Sequence, residues 1–346
     1  MNQRNKIQGC CSNLSLPQLT KKTDENCAKT LKQITPTNTL KKIGDFQGCG
    51  RSTSQLNNAI LNNLYDQASQ KSKVGDKPRK DMCSRAHTIY QQQQNDDQLR
   101  KQIQYNDYFI GGIKEILGKE ICAQNLKQMC IDQLNQIYKN VTCKDQTFIS
   151  KKQLPNIVLT KKYSIAIDLD ETLVHSEELK PNRRYDFQNL QFGTFIRPYC
   201  LQFLQLLNKH ANLFVFTSSN IKYATTIMQI LDPQKDLFQG LFFRDHCTIL
   251  QDNSQVKDIK IISSDLTKII LIDNNPQCFI PEPFNGIPIV PFLDNKADKE
   301  LLILSQFIER EIFTSEDVQH VIKRFFQFQQ FRQFENGMQA YQILYN

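Results

Sequence analysis

The chain has no run of the about eighteen consecutive apolar residues that a membrane-spanning helix needs, so no membrane span is expected. It has no Cys-x-x-Cys pair either. Its eleven cysteines are scattered and odd in number, and no secretory pattern opens the sequence, which favours reduced thiols in a nuclear or cytoplasmic compartment over a disulfide framework. Cys83 and His87 have a ligand-like spacing but no partner set, which argues against a zinc site. Acids are missing from the first 23 residues, a feature of mitochondrial presequences, but only Arg4 supplies the usual arginine and the helical face is weak. The neighbouring Cys10 and Cys11 could be acylated, although adjacent cysteines in a disordered arm need no such role. No internal repeat is evident.

Charge is divided unevenly. Residues 1–155 carry 24 Lys and Arg against 13 Asp and Glu, a net +11, and the remainder is −3. The basic part is also rich in Gln, Asn, Lys and Ser, with a glutamine tract at 91–94, so much of it is expected to be disordered for want of apolar area to bury. Within it, Ile60, Leu61, Leu64, Tyr65 and Ala68 fit one helical face. A longer pattern from Phe109 through Ile137 predicts a helical segment near 107–140, packed against the rest of the chain or against a second copy. The positive charge permits RNA or DNA binding, but aromatic interleaving is sparse, and a solvated arm is the preferred reading.

From about residue 156 the pattern changes to alternating strand and helix. Candidate strands are 164–167, 213–217, 247–250, 268–272 and 286–290, with helical stripes between and after them, which predicts a doubly wound parallel sheet. Phenylalanines at 325, 326, 328, 331 and 334 stand among Gln and Arg; a helix covering the core explains them better than an exposed aromatic ligand. The organisation expected is a basic arm over 1–155, a catalytic domain over 156–325 and a Phe/Gln-rich tail over 326–346.

The most informative stretch is Ser164-Ile-Ala-Ile-Asp168-Leu-Asp170-Glu-Thr-Leu-Val-His175, in which two carboxylates one residue apart follow a short apolar strand. Open α/β sheets bind ligands just beyond the carboxyl ends of their strands, so acids emerging there stand where chemistry would occur. Three more signals follow in order: Leu213-Phe-Val-Phe216 ending in Thr217-Ser218-Ser219-Asn220, then Val256-Lys257-Asp258, then Lys268 to Ile272 ending in Asp273-Asn274-Asn275-Pro276. A helix entrance rich in hydroxyls and free backbone N–H groups suits a phosphate.

These four motifs together resemble the small C-terminal-domain phosphatases, the NLI-interacting-factor-like branch of the haloacid dehalogenase superfamily. The resemblance covers about residues 156–325 and implies a haloacid-dehalogenase-like fold and a magnesium-dependent Ser/Thr phosphoprotein phosphatase. It implies Asp168 as nucleophile, forming an aspartyl-phosphate, and Asp170 as acid and then base. Mg2+ would be held by Asp168, the backbone carbonyl of Asp170 and Asn274, with Asp273 supporting the metal or orienting Lys257. Thr217 and Ser218 would hold phosphoryl oxygens, Lys257 would neutralise charge, and Arg244 would stand on the substrate side. The second acid, Asp170, favours ester hydrolysis over dehalogenation, because an alcohol leaving group needs a proton. His175 and His246 are expected to be structural.

The segment between His175 and Arg197, where the family inserts a small β-sheet that helps shape its substrate pocket, reads as polar and shortened. The implied partner is a phosphorylated protein, and the RNA polymerase II tail, the family's best-known substrate, stays open as a target. The alternative is a non-catalytic member acting as an adaptor or mitochondrial import receptor. A lost acid or lysine and a membrane anchor would mark it, and the sequence shows neither.

Overall fold

The computed structural model describes Leu99 and residues 103–120, 123–142 and 157–345. The apolar face at 60–68, the Gln tract, Cys10, Cys11, Cys83, His87 and the rest of the basic arm before residue 99 lie outside the described residues.

In chain order the elements are α1 (Ile110–Gly118), α2 (Gln124–Thr142), β1 (Tyr163–Ile167), β2 (Val174–Glu178), β3 (Phe187–Gln188), β4 (Phe192–Ile196), α3 (Cys200–His210), β5 (Ala211–Phe216) and α4 (Ile221–Leu231). They continue with β6 (Phe238–Phe242), β7 (Thr248–Ile249), β8 (Gln255–Val256), β9 (Ile269–Asp273), β10 (Gly286–Pro288), α5 (Glu300–Phe307), α6 (Val318–Phe326) and α7 (Gly337–Tyr345).

The expected parallel sheet is present, in the order β10-β9-β1-β5-β6, with every neighbouring pair parallel. β1, β5 and β9 are buried along their whole lengths. That is why they read as unbroken apolar runs rather than as alternating strands. The chain builds outward from β1 through β5 to β6, then returns to the other side of β1 for β9 and β10. The order therefore switches at β1, and the carboxyl end of such a switch point is where open α/β sheets bind their ligands.

The two faces of the sheet are covered differently. Ile165 and Ile167 face a core shared by all seven helices of the described residues, whereas Ala166, Phe214 and Leu271 face a smaller one closed by 3-10 turns at Ile259–Ile261 and Pro276–Phe279.

Two expectations are corrected, and one strand was unforeseen. Residues 247–250 do not join the parallel sheet; β7 pairs antiparallel with β8 in a separate hairpin. The edge strand is instead β6, whose Phe-Gln-Gly-Leu-Phe sequence hides it because Gly240 interrupts the apolar run. A Cβ there would stand 3.2 Å from the Phe214 ring, and the register with β5 shifts at that point. The segment 176–196, read as shortened, does form a small antiparallel sheet, β2-β4-β3. Its strands look polar because much of the sheet remains in contact with water.

The helical segment expected near 107–140 is found as α1 and α2, and it packs into the main core. Cys130, Leu134, Ile137 and Val141 of α2 are buried there. Residues 326–345 are part of the same packing rather than a separate tail. α6 ends at Gln327 in the left-handed region (φ 52°), and the turn at Phe328–Gln333 buries Phe331 completely. Phe307 and Phe325 meet at 4.3 Å and Phe326 and Phe328 at 5.1 Å, so the clustered phenylalanines cover the core, as the sequence suggested. α7 then lies against α2 so closely that a side chain on Gly337 would collide with the Leu134 carbonyl. Among the described residues no helix is long and apolar enough to cross a membrane.

Candidate active site

Parallel pairing sets the first geometric fact. Ile167 is level with Val215 of β5 on one side and Ile272 of β9 on the other, so Asp168, Thr217 and Asp273 emerge together at the sheet's carboxyl edge. The edge is held by ladder-like bonds that outlast the strands: Asp168 N–H donates to the Ile272 carbonyl at 3.0 Å and Thr217 N–H to the Phe242 carbonyl at 2.9 Å.

Lys257 enters this edge from the turn after β8. Its Nζ donates to Asp168 Oδ1 and to Asp273 Oδ2, both at 2.6 Å, and all three side chains are buried. Burial opposes the lysine's charge, but the attraction of Asp168 and Asp273 outweighs it and raises its pKa well above the ordinary range. Burial also raises Asp168, with Asp273 and Asp170 adding repulsion and Lys257 opposing it. Asp273 Oδ1 accepts from the Asn275 N–H at 2.7 Å. Both oxygens of Asp273 are thus engaged, which fits orientation of Lys257 better than a place beside a metal.

Asp170 follows two residues after Asp168, in a tight turn where Glu171 takes a positive φ of 56° and donates its N–H to the Val174 carbonyl at 2.7 Å. Each oxygen of Asp170 receives a hydroxyl. Ser219 Oγ donates to Oδ2 at 2.6 Å, and the Tyr223 hydroxyl donates to Oδ1. Burial raises the Asp170 pKa, with Glu171 adding to it, and these two hydroxyls act against the rise. Tyr223 was legible in the sequence only as part of a helical stripe, and nothing local marks it as a partner of Asp170.

The Thr217–Asn220 turn enters α4 with Asn220 as its cap, the side chain accepting from the Tyr223 N–H at 3.0 Å. Thr217 Oγ1 accepts from the Ser219 N–H at 3.0 Å, and Ser218 is exposed. Arg244 is exposed too, but anchored: its Nε donates to the Ser218 carbonyl at 2.8 Å and its N–H to the Ser219 carbonyl at 3.0 Å. Asn274 follows β9. Its N–H donates to Thr172 Oγ1 at 3.2 Å, and its Oδ1 lies 3.4 Å from the same hydroxyl. His175 contacts Glu171 at 3.1 Å and stacks on Phe195, and His246 Nδ1 accepts from the Phe243 N–H at 3.2 Å, both supporting roles.

A metal site here would draw on the Asp168 carboxylate, the Asp170 carbonyl and the Asn274 amide. Among the described residues no three His, Cys, Asp or Glu side chains gather as a metal centre. The all-oxygen set with few carboxylates is what Mg2+ tolerates, because that ion keeps several of its own waters.

A parallel α/β sheet with an aspartate pair at its switch point, bridged to a buried lysine, defines the class of protein this is. Residues 163–319 match the family model described as NLI interacting factor-like phosphatase. CTD nuclear envelope phosphatase 1 of Xenopus laevis is 32% identical over 179 residues, covering 47% of this chain and 72% of that protein. CTD small phosphatase-like protein 3 of Caenorhabditis elegans is 34% identical over 172 residues, covering 47% and 59%. For CTD small phosphatase-like protein 2 of Dictyostelium discoideum the figures are 35%, 47% and 30%, so the chain spans well under two thirds of these last two relatives. The chain belongs to the NLI-interacting-factor-like, or CTD, phosphatase family. Its overlap with the solved RNA polymerase II CTD phosphatase Fcp1 is 16% identical at a TM-score of 0.32, covering 53% of this chain and 61% of that one. That is too distant to bear on the fold, which rests on the strand order itself.

Proposed function

We propose that this chain is a magnesium-dependent phosphatase acting on phosphoserine or phosphothreonine in proteins, through an aspartyl-phosphate on Asp168. The observation that carries the reading is the buried Lys257 bridging Asp168 and Asp273, beside an Asp170 clamped at both oxygens. Such a layout aims one carboxylate at an incoming phosphorus and keeps a second, differently held, for proton transfer.

A bound Mg2+ would supply positive charge that favours ionised Asp168 and offsets its repulsion from the phosphoryl oxygens. Asp168 attacks phosphorus, the ester P–O bond breaks, and the departing oxygen takes a proton from Asp170. In the second half Asp170 takes a proton from water as that water attacks phosphorus, freeing Asp168 and inorganic phosphate. Lys257 holds Asp168 in position and stabilises charge gathering on the transferred group. Thr217 and Ser218, with Arg244 behind them, form the phosphate-side wall. The substrate is a phosphorylated protein, with the RNA polymerase II tail kept as a target because the small sheet at the pocket is present after all.

The test is hydrolysis of p-nitrophenyl phosphate and of phosphoserine peptides with and without EDTA. Activity should require magnesium, and Asp168→Asn should abolish turnover while its circular dichroism matches the parent. Full activity in that variant would end the nucleophile assignment.

A further inference from the structure

We infer that Gln133, on the N-terminal helix α2, is a positioning residue for Asn274, and that α2 is thereby a working part of the site. The inference rests on the reading of Asn274 as a cation ligand. It concerns a part of the chain that lies before the residues matched by the family model.

The loop that carries Asn274 leaves β9 and passes under α2. Gln133 is only 4% exposed, and its amide nitrogen donates to two carbonyls at once, that of Asn274 at 2.5 Å and that of Ile289 at 2.8 Å. Seven residues on, two turns along the same face, Asn140 Nδ2 donates to the Pro276 carbonyl at 2.6 Å. The helix therefore grips the loop at both ends, before and after Asn275. Asn274 is held on its N–H by Thr172 and on its carbonyl by Gln133, and its side-chain oxygen accepts only a long bond, at 3.4 Å, from the Thr172 hydroxyl, which leaves a lone pair to serve a ligand.

α2 can act as a fixed reference because it is also held along the adjacent face. Its Cys130, Leu134, Ile137 and Val141 stripe is buried, α7 abuts the Leu134 carbonyl, and Arg332 donates to the carbonyl of Val141. A neutral primary amide suits the donor side of the Gln133 position. It offers two N–H groups to two buried carbonyls, which a carboxylate cannot do and an apolar side chain would leave unpaired.

Side chains that orient a metal ligand typically change affinity about 10–100-fold when lost. In the full chain, Gln133→Glu keeps the size and removes the donors. Mg2+ binding by titration calorimetry and the Mg2+-induced rise in melting temperature should weaken at least about tenfold in concentration, with hydrolysis recovering as Mg2+ is raised. Gln133→Met gives the same reading should the glutamate variant fail to fold. Ile137→Ala, one turn away on the same helix, should lower the melting temperature yet leave the Mg2+ constant unchanged.

A Mg2+ constant within twofold of the parent in Gln133→Glu or Gln133→Met, or one moved equally by Ile137→Ala, overturns the inference. Asn274→Ala separates this from the underlying reading. If it leaves Mg2+ binding intact, the ligand assignment fails and the inference with it. If it weakens Mg2+ while the Gln133 variants do not, only the inference fails.

Discussion

Arg197 and Asp298 form a two-point ion pair: Nε donates to Oδ1 and Nη2 to Oδ2, each at 2.9 Å, with Arg197 only 1% exposed and Asp298 half-buried. The rest of the guanidinium is also used. Nη1 donates to the Thr172 carbonyl at 3.1 Å and Nη2 to the Val290 carbonyl at 2.9 Å. One side chain thereby joins the turn after Asp170, whose Thr172 hydroxyl also touches Asn274, to the segment following β10 and to the start of α5.

Arg197→Lys keeps the charge but cannot reproduce the planar fork, so Asp298 and two carbonyls lose donors in a dry setting. Each buried acceptor left unpaired costs about 1–3 kcal/mol. Urea unfolding should show that loss, and turnover should fall with it because the Asp170 turn is no longer tied down. A variant as stable as the parent would mean that water reaches the pair and takes over its hydrogen bonds.

How much of this was legible in the sequence depends on the range of each interaction. Asp168, Thr217 and Asp273 were legible because each ends a wholly buried strand, and an apolar run stopping at a polar residue is a local signal. Lys257 was placed by its order among the motifs; alone, a lysine in a turn says nothing. Tyr223, Gln133 and Arg197 owe their roles to partners 53, 141 and 101 residues away, which no periodicity encodes. β6 was missed because Gly240 breaks its pattern. The β2-β4-β3 sheet was missed because a sheet left partly open to water does not read as apolar.

Glu300 gives a pH prediction. It stands at the start of α5, where a Cβ on Gly112 of α1 would sit 2.6 Å from its Oε1, and its Oε2 is buried without a hydrogen-bond partner. Burial pushes its pKa up to about 8, with Arg197 opposing and Asp298, Glu115 and Asp107 adding to the rise. The ordinary value is 4.5. Between those limits the folded protein keeps a proton that the unfolded chain gives up, so this group makes stability fall as pH rises from 4.5 through 8. Glu300→Gln cannot titrate. Denaturant unfolding at pH 5.5, 7 and 8.5 should show the parent losing stability against the variant by up to about 1.4 kcal/mol per pH unit. Parallel curves for the two proteins would show that Glu300 is ionised in the fold at neutral pH.

The clamp on Asp170 yields a prediction that separates orientation from packing. Ser219 and Tyr223 each give a hydroxyl to one oxygen, and the Tyr223 oxygen lies 2.8 Å from Ser176 Oγ, itself 2.8 Å from Thr194 Oγ1. The Tyr223 ring meets Phe192 at 5.2 Å, so the inserted sheet fixes the phenol that fixes the acid. Tyr223→Phe leaves that ring contact in place and deletes only the hydroxyl. If the hydroxyl aims Asp170 at the departing oxygen, its loss should matter most where that oxygen most needs a proton. A serine alkoxide is far more basic than p-nitrophenolate, which leaves readily without help. Well-placed general acids contribute about 10²–10⁴ in rate, so a misaimed one should slow the first half-reaction on a phosphoserine peptide, read as single-turnover release of the dephosphorylated peptide, about tenfold or more. With p-nitrophenyl phosphate the single-turnover release of p-nitrophenol should change by less than about threefold, and Asp170→Asn should show the same split more strongly, while breakdown of the aspartyl-phosphate, where Asp170 acts as base, should slow alike for both substrates. An equal loss on the two substrates in that first half-reaction in Tyr223→Phe would mean that the tyrosine only holds the inserted sheet in place, because a general loosening of the site cannot sense the basicity of a leaving group.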